Sequence, residues 1–509
     1  MSFIEYLKKY KFIWLLVIVF NVICHGFMLL NSSVGIDTEA ILFDPKGLYT
    51  GWLNTGRAGL VLLKYITGTY HFNVYVAGIG TIFFLSLSCV LWTFLFYRIT
   101  GKENGLNILI FSGILSSSPI LTEQMYFKLQ AMEVAICFCL VAISVYFSHR
   151  FALRKKWGCF LVSLPFSIIA FASYQAFNGL YLFGAVACFL LYYYFNYLKS
   201  DKDVSTRQMW LYIFRFAICF FSAFLVNQII TKLFFDKSTY LDGMSVWKSE
   251  SIVTCFINII KHMGKVLLAR HSFYTFTFAI FVIVTMVLCG QALLQHKAKN
   301  GKYLGVTVVA LLFMAPFFLT IVCGKEPVVR SQLIFPFTLS FMAYILFLFD
   351  IRKLKYNRLI KTFGILLCMA TVVFQVKYTW ELNYTDNVRY QGDVKLASAI
   401  MGEIDKLQDA DNSYSLMFMG KQKAALNESC AFGETIGYSL FDWDADVEPK
   451  GFYNSRRVVG LMNYLGADYK SVPIEKVKGI TEKCNGMNSW PMEGSVQFID
   501  GVIVVKLSD

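Results

Sequence analysis

Apolar residues in this chain come in long unbroken blocks rather than in the two-faced patterns of soluble domains. The blocks cover about residues 12–31, 74–97, 105–121, 129–148, 157–174, 178–196, 209–231, 273–295, 303–323, 332–349 and 359–377. A hydrocarbon core about 30 Å thick takes roughly 20 such residues as a helix, so the pattern predicts about eleven transmembrane helices. The third block is short and meets Pro119, which predicts a broken or tilted helix. The first follows a lysine-rich start, but it is too long for a signal-peptide core and no small-residue cleavage site follows. It reads as a retained anchor.

Between the blocks, two polar stretches keep a helical apolar spacing. Residues 56–66, with Arg57 and Lys64, and residues 252–268, with Lys261 and Lys265, predict helices lying along the interface. After about residue 378 the pattern changes again: acidic residues become frequent and long apolar blocks stop. Residues 394–407 have helical periodicity, and short strands are predicted at 414–419, 435–440, 457–462 and 496–507. The fold expected is therefore mainly α: a polytopic membrane module over 1–378 and a small soluble α/β domain over 379–509.

Composition agrees, with 57% hydrophobic and 16% charged residues. The net charge of +14 is mostly topology. Lys8, Lys9 and Lys11, then Arg98 and Lys102, Arg150 to Lys156, Lys199, Lys202 and Arg207, Lys297, Lys299 and Lys302, and Arg352 to Lys361 fall on every second joint. Cytoplasmic loops carry that excess, which puts the N-terminus inside and, with odd parity, the C-terminal domain outside. Anionic lipid headgroups are the expected partner of these cations. No basic-aromatic surface remains for nucleic acid. Eleven of the thirteen cysteines fall in apolar stretches; Cys430 and Cys484 alone lie in the tail, where a disulfide is open to them. The six histidines show no metal-binding spacing.

Candidate chemistry concentrates on the outer side. Asp37 and Glu39 follow the first block two residues apart, where carboxylates serve as a base, a divalent-cation ligand or a hydrated loop. Glu123 sits at a membrane mouth, with Lys128 as a natural partner. Arg57, Lys128, Arg270, His271, Lys325 and Arg330 all lie near helix ends, at the depth of a lipid phosphate, with Glu326 close to Arg330. Guanidinium groups bind phosphate bidentately, and snorkelling to headgroups is the competing fate. Tyr174 and Gln175 stand at an outer boundary and suit stacking and hydrogen bonding to a sugar, or belt packing.

The order of these features resembles the bacterial GtrII-like glucosyltransferases, the phage-borne serotype-converting enzymes that decorate O-antigen, and their relatives on other cell-surface polymers. The resemblance is carried by Gly35-Ile36-Asp37-Thr38-Glu39 after the first span, by Trp52-Leu53-Asn54-Thr55-Gly56-Arg57, and by Ser173-Tyr174-Gln175-Ala176-Phe177. It covers most of the membrane region. Asp37-Thr38-Glu39 stands where many members carry two adjacent acids, so either carboxylate is left to do the chemistry. The resemblance implies a GT-C architecture in the bacterial inner membrane. It also implies inverting transfer of a hexose from a polyprenyl-phosphate donor to a polysaccharide or glycolipid acceptor at the outer face. Carried over, Asp37 is the base with Glu39 assisting, Arg57 and Arg330 meet the phosphate, and Glu123 holds the acceptor or a cation. A metal requirement is left open; if a cation such as Mg or Mn is used, Asp37, Glu39 and Glu123 are the acids that would take it. Enzymes that make and flip the donor lipid are the implied functional partners.

A flippase or exporter of lipid-linked sugars is the rival. It would place charges inside spans and show inverted repeats, whereas these spans read as nearly free of charge apart from Arg215. A nucleotide-sugar donor would call for a glycine-rich strand–helix unit, which the sequence lacks.

Overall fold

The computed structural model describes residues 1–102, 104–198, 205–235, 243–295, 302–349, 357–407 and 414–508. Several cationic joints, Lys199, Lys202, Lys297, Lys299, Arg352, Lys353 and Lys355, lie outside them. Among the described residues eight helices are long and apolar enough to cross a membrane. A ninth is the pair Gly105–Ser116 and Pro119–Met125, bent by 55° just before Pro119. The proline supplies no amide hydrogen and starts the second piece at its first position, which is the break expected there.

The apolar blocks at 157–174 and 332–349 form shorter helices, Trp157–Ser173 and Ile334–Leu348, of 17 and 15 residues. At about 1.5 Å per residue neither reaches the full hydrocarbon thickness unaided. The segment after the first span and the C-terminal domain touch each other, so both lie on one side of the bundle.

The 56–66 and 252–268 stretches form the helices Ala58–Ile66 and Ile252–Leu267. One charge inside the bundle was not anticipated. Glu133, on the span Lys128–Arg154, pairs with Lys64 of the Ala58–Ile66 helix at 2.9 Å, both side chains fully buried. Thr69 donates to the same carboxylate oxygen at 3.0 Å. Removing one member of such a pair strands the other in an apolar medium. Glu133→Gln is expected to cost about 3 kcal/mol or more, read as a fall in the melting temperature of the detergent-solubilised protein; an unchanged melt would show the pair to be idle.

The last span continues without a break as Asn357–Ile404, 48 residues, and its end carries the C-terminal domain. That domain is a four-stranded mixed sheet in the order β2-β1-β4-β3, with β1 Ser415–Met419, β2 Lys470–Ser471, β3 Val496–Ile499 and β4 Val502–Lys506. Two expected strands are absent: 435–440 forms turns, and 457–462 lies in the helix Tyr453–Tyr464. There Val458, Val459, Leu461 and Met462 are all buried. A strand would have turned two of them outward, whereas positions 458, 461 and 462 share one helical face. Cys430 and Cys484 are free thiols; Cys484 is buried and donates to the Ile480 carbonyl.

Candidate active site

Gly35 and Asp37 make a tight turn into the short helix Thr38–Phe43, with the Thr38 amide donating to the Gly35 carbonyl at 3.1 Å. Asp37 takes the left-handed conformation, φ 65°, which Asp and Asn tolerate better than most residues. This turn puts the Asp37 and Glu39 carboxylates on the same guanidinium nitrogen. Arg457 Nη1 donates to Asp37 Oδ1 at 3.1 Å and to Glu39 Oε1 at 2.7 Å. Its Nε donates to Asp444 Oδ2 at 2.5 Å. The Asp37 side chain remains 41% exposed while that of Glu39 is only 5% exposed. Burial pushes the Glu39 carboxyl up to about 7, opposed by the Arg457 cation and reinforced by the Asp37 charge.

The pair faces a cavity of about 680 Å³ whose other walls include Trp52, Thr55, Arg57, Tyr453 and Arg456. Arg57 precedes the helix Ala58–Ile66 and lies over the Tyr174 ring at 5.4 Å. Among the described residues no carboxylate pairs with its guanidinium, and its buried Nε has no hydrogen-bond partner. Gln175 donates from its side chain to the Thr55 carbonyl at 3.2 Å. Gln175 also lines a second, apolar cavity of about 830 Å³ among the spans, walled by Tyr181, Phe216, Phe220, Leu311 and Leu319. The two cavities thus adjoin at the Gln175–Thr55 contact.

The segment leading to Asp37 is pinned from three sides. Lys128 Nζ donates to the side-chain and backbone oxygens of Asn31 and Ser33, rather than to Glu123. Arg389, on the long last helix, donates to the Val34 carbonyl at 2.9 Å and pairs with Asp386 and Asp393. Val34 and Ile36 are buried in the hydrophobic core of the C-terminal domain, with Leu416, Phe418, Val458 and Leu461. The domain helix comes so close that a Cβ on Gly460 would stand 2.7 Å from Glu39 Cβ.

Other predicted residues lie away from this cavity. Glu123 is fully buried and accepts from the Thr435 amide at 2.5 Å and from its hydroxyl. Gly433 makes room for it, since a Cβ there would fall 2.3 Å from Glu123 Oε2. Arg330 pairs with Glu434 at 3.2 Å and lies over Phe127, while its expected neighbour Glu326 pairs with Lys265 at 2.8 Å. Glu123 and Arg330 therefore clasp one loop of the C-terminal domain. Lys325 donates to the Gly243 carbonyl at 3.1 Å. Arg270 and His271 line a separate cavity of about 460 Å³ with Lys377, Tyr378 and Glu381. The carboxylates grouped as a cation site are divided between these places. Among the described residues no three His, Cys, Asp or Glu side chains come together as a metal site.

Residues 26–377 match the family described as Glucosyl transferase GtrII, well over half of the chain. The chain belongs to the GtrII glucosyltransferase family. No curated protein and no solved structure matches it. Family membership makes it a membrane glycosyltransferase. The GtrII match contains Asp37, Glu39, Arg57, Tyr174 and Gln175, but stops before Asp444, Arg456 and Arg457. These are the residues that sequence reasoning missed. The available signal was the pair Arg456-Arg457 in an otherwise acidic tail, hidden because the apolar run after it reads as a strand.

Proposed function

We propose that this GtrII-family chain moves a hexose, glucose by the family's name, from a polyprenyl-phosphate donor to a polysaccharide or glycolipid acceptor. Transfer takes place at the outer face of the bacterial inner membrane, with inversion at the sugar carbon. The observation that supports this most is the junction of the two cavities. An apolar groove between spans suits an isoprenoid chain. It ends at Gln175 and Thr55, beside Arg57, which has no carboxylate partner among the described residues, and across a polar cavity from two carboxylates.

The chemistry follows from that order of groups. Asp37, the more exposed carboxylate, takes the proton of the acceptor hydroxyl as its oxygen attacks the anomeric carbon. The bond from that carbon to the phosphate oxygen breaks on the opposite face, and polyprenyl phosphate leaves with the electron pair. Arg57 stabilises the growing phosphate charge, an effect strengthened by its half-buried setting. Glu39 orients Asp37 through their shared contact to Arg457. In this reading Arg330 and Glu123 serve the docking of the C-terminal domain, and the phosphate role rests on Arg57.

Arg57→Gln tests the assignment. A charge-assisted contact to the phosphate is worth about 1.5–3 kcal/mol, so kcat/KM for polyprenyl-phosphate glucose is expected to fall roughly 10- to 100-fold, with acceptor KM little changed. An unaltered donor dependence would remove Arg57 from the phosphate site.

A further inference from the structure

We propose that Arg457, carried by the C-terminal domain, is a positioning residue of the transfer site. Its guanidinium holds the Asp37 and Glu39 carboxylates side by side, so the site is complete only with the domain docked. This rests on the transfer reading given above. It goes beyond the family match, which ends at residue 377 and contains neither Arg457 nor its anchor Asp444.

Geometry carries the assignment. One nitrogen, Nη1, bridges an oxygen from each acid, at 3.1 and 2.7 Å, while Asp444 fixes Nε and so the plane of the fork. Two carboxylates brought together without a cation would hold a proton between them, which disables a base. A fixed guanidinium opposes that shared proton, countering the burial that raises Glu39, and sets the direction of both carboxylates. The seat is built for close approach: Gly460 admits the helix Tyr453–Tyr464 against Glu39, and Val34 and Ile36 insert into the domain core. The other charged or titratable groups around the pair are few. Arg57 lies across the cavity, Tyr453 lines it, and Arg456 faces Asp44 at 3.6 Å near the mouth. None of these is hydrogen-bonded to Asp37 or Glu39, so Arg457 is the cation the two acids share.

The test uses the full-length protein in detergent, polyprenyl-phosphate glucose as donor, and the pH dependence of transfer for wild type, R457Q and R457K. Losing the cation raises the proton affinity of the carboxylate pair. The acidic limb of the rate profile for R457Q is expected to move up by about one pH unit or more. Its rate at pH 7 should fall at least tenfold and recover in part near pH 8.5, with donor KM within twofold of wild type. R457K keeps the charge but loses the fork, so its limb should stay near the wild-type position while kcat drops severalfold. If R457Q does not fold, R457K decides the matter by its kcat alone. An unmoved limb in R457Q, an equal loss at every pH, or wild-type kcat in R457K overturns the positioning role and leaves the transfer reading standing. A wild-type protein that forms no glycosidic product overturns both.

Discussion

Asp37→Asn is expected to abolish sugar transfer, lowering kcat by about 10²- to 10⁴-fold, while expression and membrane insertion stay at wild-type levels. Asparagine is nearly isosteric and accepts the left-handed backbone of this turn, so the loop keeps its shape. Its amide oxygen still accepts from Arg457, although the charge is lost. What disappears is the capacity to take a proton from the acceptor hydroxyl. Glu39 is a poor substitute, because its side chain is almost wholly buried and its Oε1 is committed to Arg457. Rates measured with purified variants in the same lipid would decide this. Full activity in Asp37→Asn would remove Asp37 from the mechanism.

Arg389→Ala is expected to be the most damaging single change outside the cavity. The Arg389 side chain is fully buried and answers two buried carboxylates and the Val34 carbonyl at once. Asp393 in turn accepts from Ser439 at 2.6 Å and from the Leu440 amide at 3.1 Å, which ties the long helix to the C-terminal domain. Deleting the cation leaves uncompensated buried charge, at a cost of about 3–5 kcal/mol. The expected result is a lower melting temperature, faster proteolysis within residues 414–508, and loss of transfer because the segment before Asp37 loses its anchor. Wild-type stability in this variant would contradict the account of how the site is held.

Much of the membrane module was legible because a bilayer imposes one rule on every span. Long apolar runs, the proline break at Pro119 and the helices Ala58–Ile66 and Ile252–Leu267 all follow from local composition. Asp37, Glu39, Arg57, Tyr174 and Gln175 were legible for a related reason: they are polar residues placed where apolar blocks end. Contacts between distant segments were not. Arg457 meets residues some 420 positions earlier, and no local pattern encodes that pairing. Glu123 and Arg330 show the same limit. Each has a nearby opposite charge in sequence, yet each is taken by the loop holding Glu434 and Thr435. Glu133 was hidden by its own span, since one acid scarcely alters the hydropathy of 27 residues, and its partner Lys64 comes from a separate helix.

The central claim is tested most directly by incubating the purified, membrane-reconstituted protein with polyprenyl-phosphate [14C]glucose and a lipid-linked polysaccharide acceptor. The account predicts a new glycosidic product, formed with stoichiometric release of polyprenyl phosphate and lost in Asp37→Asn. Movement of the labelled lipid across the bilayer without any glycosidic product would contradict it and favour a transporter of lipid-linked sugars.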